Sequence, residues 1–240
     1  AVYTWITKSR LGFYFRAINA SNEGAAALGV NTALYKQISA GLGSSKPSFA
    51  PLICFGANCA EPHHDTDASL LKTDDSVILD VGLTWQSYCS DMTRTVFMGT
   101  PTDEQKRVYD IVRAANDAGR AAVRPGIPLK EVDRAARKVI EDAGYGPQFI
   151  HRTGHGIGLE VHEFPDVSAT SEVIARPGMI FSVEPGIYLP GKFGVRVEED
   201  IRSGVRSRKA VLDHLTRIHL GSRNGKARWH EASPSHRCQV

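Results

Sequence analysis

Nine histidines occur in the chain, and the five that precede Arg202 fall into two groups, His63-His64 and His151, His155, His162. The second group lies in His151-Arg152-Thr153-Gly154-His155-Gly156-Ile157-Gly158-Leu159-Glu160-Val161-His162-Glu163, where three glycines surround one imidazole. Glycine has no Cβ, so such a stretch can bring its backbone close to a neighbour or a ligand and take angles closed to other residues. A lone histidine is more often a satisfied core residue, but three interleaved with glycine point to a site. Acids embedded in apolar runs are the second signal: Asp80 follows Val77-Ile78-Leu79, Glu184 follows Ile180-Phe181-Ser182-Val183, and Glu198 ends Val195-Arg196-Val197-Glu198. Asp91 lies eleven residues beyond Asp80, a spacing that suits two arms of one hairpin across residues 82–87, and Glu184 and Glu198 flank residues 186–194 in the same way. An ionised carboxylate is costly to bury unless it is paired or bound to a cation. The plainer reading pairs these acids with Arg94 and Arg196 as turn or edge-strand residues. If four carboxylates and an imidazole converge instead, their charge of about −4 repels itself and two divalent cations balance it. Oxygen-rich donors favour Mn2+, Co2+ or Fe2+ over the Cys/His sites of structural zinc. Two such ions roughly 3.5–4 Å apart can activate water and polarise a carbonyl, which is hydrolytic chemistry.

The elements that must hold these groups are partly legible. Thr102-Asp103-Glu104-Gln105 has the form of a capping box, and Val108, Ile111, Val112, Ala115 and Ala122 follow at helical spacing until Arg124-Pro125-Gly126. Residues 129–143 repeat the pattern through Val132, Ala136, Val139 and Ile140, with Gly144 after the end. Residues 77–81, 93–97, 179–183 and 195–201 are rich in β-formers and separated by Gly, Pro and Ser, which predicts strands. Strands, two helices and strands again argue an α+β fold. Residues 17–28 suit a helix, and residues 41–45 read as a loop.

Composition fits a soluble globular protein: 240 residues, 42% apolar and 23% charged, with a net charge of +3. No apolar run reaches the roughly 18 residues of a membrane span. The N-terminal stretch is broken by Lys8, Arg10 and Arg16 and lacks a signal-peptide layout, so a cytoplasmic protein is expected. Cys54, Cys59, Cys89 and Cys238 form no C-x-x-C pair and are expected to be buried thiols. From Arg202 onward nine Lys or Arg stand against two acids, whereas the preceding residues hold 20 basic against 24 acidic groups. That basic tail carries no nucleic-acid motif and only a weak helical pattern at Val211, Leu212, Leu215 and Ile218, so neither nucleic acid nor membrane is expected as a partner.

Five segments in order, Asp80-Val81-Gly82, Ser90-Asp91-Met92-Thr93-Arg94, Gly154-His155-Gly156-Ile157-Gly158, Glu184-Pro185-Gly186 and Gly194-Val195-Arg196-Val197-Glu198, resemble the pita-bread metallopeptidases, the group of prolidase, aminopeptidase P and methionine aminopeptidase. The resemblance runs from about residue 48 to residue 201. It implies a pita-bread fold with pseudo-twofold halves, a mixed antiparallel sheet flanked by helices. It implies the metal ligands Asp80, Asp91, His155, Glu184 and Glu198, with Asp91 and Glu198 bridging two divalent ions, Mn2+ ahead of Co2+, Fe2+ or Zn2+. By the same carry-over His162 stabilises the oxyanion, His151 and His63 position substrate, Glu184 shuttles a proton and Arg196 belongs to the catalytic set, while His64 stays unassigned as a surface loop residue. Arg196, two residues before the last ligand, and His151, four before the histidine ligand, favour the Xaa-Pro branch. The implied activity is cleavage of the bond between an N-terminal residue and proline in short peptides, by a dipeptidase or an aminopeptidase acting as a homodimer. Methionine aminopeptidase and a catalytically inactive binding protein are the alternatives. Residues 1–201 are expected to be the catalytic domain without the N-terminal domain usual in that branch, and 202–240 a divergent basic tail. Such a tail raises the prospect that the strand over 195–201 loses ladder partners and weakens the site.

Overall fold

The computed structural model describes residues 46–64 and 67–204; the helix expected over 17–28, the loop over 41–45, Cys238 and the tail beyond Gly204 lie outside them. The capping box forms as its residues predict. Thr102 accepts from the Gln105 backbone N–H, and the Gln105 side chain accepts from the Thr102 N–H. These bonds start α1 (Asp103–Ala122), which buries Val108, Val112, Ala115 and Gly119 along one stripe. After the Pro125-Gly126 turn comes α2 (Lys130–Asp142), burying Val132, Ala136 and Ile140 and stopping before Gly144, whose φ of +86° suits glycine. The helices meet where side chains are smallest: a Cβ added at Gly119 would lie 3.2 Å from Ala136 Cβ and 3.0 Å from Val183 Cγ1.

In chain order the strands are β1 (Lys46–Pro47), β2 (Leu52–Phe55), β3 (Ser76–Val81), β4 (Leu83–Trp85), β5 (Tyr88–Cys89), β6 (Met92–Phe97), β7 (Gly154–Gly156), β8 (Glu163–Val167), β9 (Ile180–Val183), β10 (Gly186–Leu189), β11 (Phe193–Arg196) and β12 (Glu199–Arg202). They form sheets ordered β2-β3-β6, β12-β9-β7-β8, β1-β4-β5 and the hairpin β10-β11, and every pairing among the described residues is antiparallel. Two acid-bearing hairpins thus sit in different sheets, with the helix pair packed on the second. Val108, Val112, Ile140, Ile187 and Val195 make one apolar cluster, and Leu129, Val132, Phe181 and Val183 another.

Three expectations need correction. Residues 195–201 are not one strand: β11 ends at Arg196, β12 begins at Glu199, and Val197-Glu198 crosses between sheets. The ladder feared to be orphaned is paired, β11 with β10 and β12 with β9, and Ser203 N donates to Met179 O at 2.8 Å beyond it. The cysteines also differ, since Cys54 and Cys59 are buried but Cys89 is partly exposed on β5.

Candidate metal centre

The first hairpin carries Asp80 near the end of β3, opposite Thr93 of β6, and Asp91 just before β6 begins. Beyond that ladder the chain runs on through β4 and β5 with the same register, so the eleven-residue spacing does span one long hairpin, turning at Gln86 and Ser87 with φ of 47° and 71°. In the second hairpin, the register that pairs Val183 with Glu199 and Gly186 with Arg196 sets Glu184 opposite Glu198 at the crossover between sheets. His155 is the middle residue of β7, which lies beside β9. Glycine on either side makes that approach possible: a Cβ on Gly154 would lie 1.9 Å from Ser182 O, and one on Gly156 2.7 Å from Glu163 O.

Single ligand atoms of Asp91, His155 and Glu198 come within 4.8 Å of one another, the one such group of three or more among the described residues. Glu184 joins them, with Oε1 3.5 Å from His155 Nε2, which is 3.8 Å from Asp91 Oδ2. Asp80 adjoins Asp91 but is held by Arg196, whose Nη2 donates to Asp80 Oδ2 at 2.6 Å. All five expected ligands are therefore brought together, and the plainer reading is half right, since Arg196 does pair with Asp80. Arg94 forms its ion pair with Glu199, not with a ligand carboxylate, and its Nη1 donates to the backbone O of Glu198 at 2.7 Å.

Whether a cation fits is decided by the oxygens. Asp80 Oδ1, Asp91 Oδ1 and Glu198 Oε1 are buried and accept no hydrogen bond, a cost seldom carried unless a cation meets it. Burial, with neighbouring acids adding to it, pushes Asp91 up to about 8 and Glu198 well above the usual carboxylate range. Burial also lifts Glu184, to about 7. His155 is lowered by burial to about 4 and so is neutral near pH 7. Its Nδ1 lies 3.1 Å from Gly156 O; donation to that carbonyl leaves the Nε2 lone pair aimed at Asp91 and Glu184. The donor set fits divalent cations.

The other expected residues surround this set. His162 is exposed and stands edge to face with His155 at 4.2 Å between ring centres. His63 is exposed in the loop after the short 3-10 turn Gly56–Ala60, close enough for its charge to act on His151 and His162. Arg196 is buried and binds across elements: Nε to Thr93 Oγ1 at 3.1 Å, and Nη1 to Pro62 O at 3.1 Å beside His63. His151 packs edge to face against Tyr188, with 5.4 Å between ring centres. Its Nδ1 lies 2.7 Å from Arg152 O and its Nε2 accepts from the Tyr188 hydroxyl at 2.9 Å, so both nitrogens are engaged within the protein. His64 is more buried than its neighbour, bridging Glu61 and Asp67 at 2.7 and 3.3 Å.

Several contributors had no sequence signal. Tyr188 links His151 to Arg196 Nη1, and Thr93 Oγ1 donates to Glu198 Oε2 at 2.6 Å. Asp133, buried on α2, accepts both Arg137 and Thr153, while Arg137 also donates to Phe149 O and His151 O, which holds the His151 loop on the helix. An acid and an arginine four apart on a helix read as a surface pair; only packing reveals that this one is internal.

The profile of Metallopeptidase family M24 matches residues 12–202. The chain belongs to this family. Among relatives of the M24 chain, an uncharacterized peptidase of Staphylococcus saprophyticus is 47% identical over 159 residues, 66% of this chain and 45% of the relative. The recombinant prolidase of Thermococcus sibiricus superposes with a TM-score of 0.68 at 46% identity, covering 70% of this chain and 46% of that one. The X-Pro aminopeptidase of Thermotoga maritima gives 0.68 at 38% identity, covering 71% and 49%. The chain spans about half the length of the relatives it matches. Membership brings the pita-bread fold and divalent metal binding with it. No helix among the described residues is long and apolar enough to cross a membrane.

Proposed function

We propose that this M24 chain hydrolyses the bond between an N-terminal residue and proline in short peptides, with Asp80, Asp91, His155, Glu184 and Glu198 holding two divalent ions, Mn2+ first among them. The observation that carries the proposal is the convergence of Asp91, His155 and Glu198 around buried carboxylate oxygens that accept no hydrogen bond. Its similarity to a prolidase and an X-Pro aminopeptidase supports the Xaa-Pro substrate. Ions held there would polarise the scissile carbonyl and supply a nucleophile from water at neutral pH. Glu184, whose Oε1 lies 3.5 Å from His155 Nε2, takes the proton of the attacking water and passes it to the leaving nitrogen. His162, at the exposed edge of the set, donates to the oxygen on which negative charge develops. Arg196 keeps Asp80 oriented and ties the His63 loop to the same hairpin through Pro62 O. His151 acts through Tyr188, accepting its hydroxyl and so fixing the partner of Arg196.

The test is hydrolysis of Ala-Pro, Ala-Pro-Ala and Met-Ala-Ser with and without Mn2+, with Asp91→Ala as control. Release of Ala that requires Mn2+ and disappears in the control is the expected result, and the first two peptides separate dipeptidase from aminopeptidase action. Release of Met alone would move the chain to the methionine branch. The same reading takes a homodimer as the working assembly, which sedimentation checks.

A further inference from the structure

Asn116 stands in the middle of α1, where its neighbours on the buried stripe are Val112, Ala115 and Gly119. It is a poor residue for that place, since its side chain competes for backbone hydrogen bonds and a buried amide must be satisfied. It is only 2% exposed, and its partners are specific. Nδ2 donates to Val183 O at 2.7 Å and to Val197 O at 3.2 Å. Those carbonyls belong to the residues immediately before Glu184 and Glu198, on opposite strands of the second hairpin. That hairpin is weakest there. Pro185 has no N–H to give, and a long bond, Val197 N to Pro185 O at 3.4 Å, spans the gap between the β9-β12 and β10-β11 ladders.

We infer that Asn116 is a positioning residue that sets the separation of Glu184 and Glu198. One amide nitrogen with two hydrogens joins the two strands at the point where their own ladder fails. The helix that carries it is anchored to the other hairpin's sheet, because Gln105 in its first turn donates through Nε2 to Asp74 O, two residues before β3. A shift of Asn116 therefore moves both glutamates relative to Asp80 and Asp91. The inference rests on the two-metal reading of the site, and it concerns the geometry of that site rather than the substrate.

The test is a Co2+ titration of the full chain, followed by calorimetry and by the visible absorption of bound Co2+, which reports coordination geometry. In Asn116→Leu, similar in size but without the donor, one of the two Co2+ ions is expected to bind roughly 10-fold or more weakly, with an altered spectrum, while far-UV circular dichroism is unchanged. Asn116→Gln keeps the donor but moves it by one methylene; a smaller loss with a shifted spectrum is expected, and this variant carries the test if the leucine variant fails to fold. Val112→Ala loosens the same helix without touching either carbonyl, and should leave both affinities and the spectrum as in the wild type. Wild-type Co2+ binding in the folded position-116 variants, or an equal loss in Val112→Ala, would overturn the inference alone. A wild-type chain that binds no Co2+ would overturn the two-metal reading and this inference with it.

Discussion

The two acid-bearing hairpins arrive at the same centre by different routes. In the first, β3 and β6 pair without a break from Ser76 with Phe97 to Val81 with Met92, and Asp80 projects from a regular ladder. In the second, Pro185 and the crossover between β9-β12 and β10-β11 interrupt pairing where Glu184 and Glu198 emerge. A regular ladder holds a carboxylate by its own backbone bonds. An interrupted one needs outside support, here Asn116 from α1 and Thr93, whose carbonyl accepts from Glu198 N at 3.2 Å and whose hydroxyl meets Glu198 Oε2. The difference teaches that in the second hairpin distant groups stand in for missing ladder bonds beside the ligands, whereas in the first a distant side chain, Arg196, meets the carboxylate of Asp80 itself.

The largest effect should come from removing the buried acids Asp91 and Glu198. Glu198→Ala and Asp91→Ala are each expected to abolish Mn2+-dependent peptide hydrolysis and to lower metal uptake measured by calorimetry; a variant that keeps near-normal turnover would remove its residue from the ligand set.

Arg196 stitches the two hairpins together, and Arg196→Met leaves Asp80 buried without its partner. A loss of about 3–5 kcal/mol in urea unfolding is expected, and a cost below about 1 kcal/mol would show that the hairpins do not rely on this pair.

The pH dependence of stability sharpens the same picture. Asp91 and Glu184 titrate at about 8 and about 7 in the folded protein, above their ordinary values near 4. At these two groups the folded chain therefore binds more protons than the unfolded one; below about pH 6.5 the lowered His151 and His155 work the other way, so the fall in stability with rising pH belongs to the range above it. With chelator present, the contribution of the two acids should be complete below about pH 4 and gone above about pH 8, and Mn2+ should flatten the decline. Chelated protein that gains stability between about pH 6.5 and 8, where the histidines are neutral in both states, would contradict the close packing of the acids.

Thr93→Val removes the hydroxyl between Arg196 and Glu198 while keeping the strand, and should cost about 1.5–3 kcal/mol, as expected for a hydrogen bond to a charged group. Smallest is Glu199→Gln, which cuts a half-exposed ion pair with Arg94 outside the ligand set; at most about 1 kcal/mol and unchanged Mn2+ affinity are expected. A measurable loss of Mn2+ affinity would mean that the Arg94 and Glu199 pair tunes the centre as well.

Much of this is legible in the sequence. The capping box of Thr102 and Gln105, the apolar stripes of α1 and α2, and the glycines around His155 are local signals, and each formed the element its residues dictate. The acids in apolar runs marked a centre because burying charge is expensive, and motif order marked the family. Other features could not be read in advance. The β-formers over 195–201 looked like one strand because propensity reports what each residue tolerates, not which partner it finds, so the crossover at Val197-Glu198 was invisible. The bond from His151 Nε2 to Tyr188, the internal Asp133 and Arg137 pair and the clasp of Asn116 depend on groups 4 to 81 residues apart in sequence. Short-range chemistry was settled by the order of residues alone. Which carboxylate pairs with arginine, which stays open to a cation and which helix holds the ligand strands were decided by tertiary packing, because hydrogen bonds and desolvation act between neighbours in space.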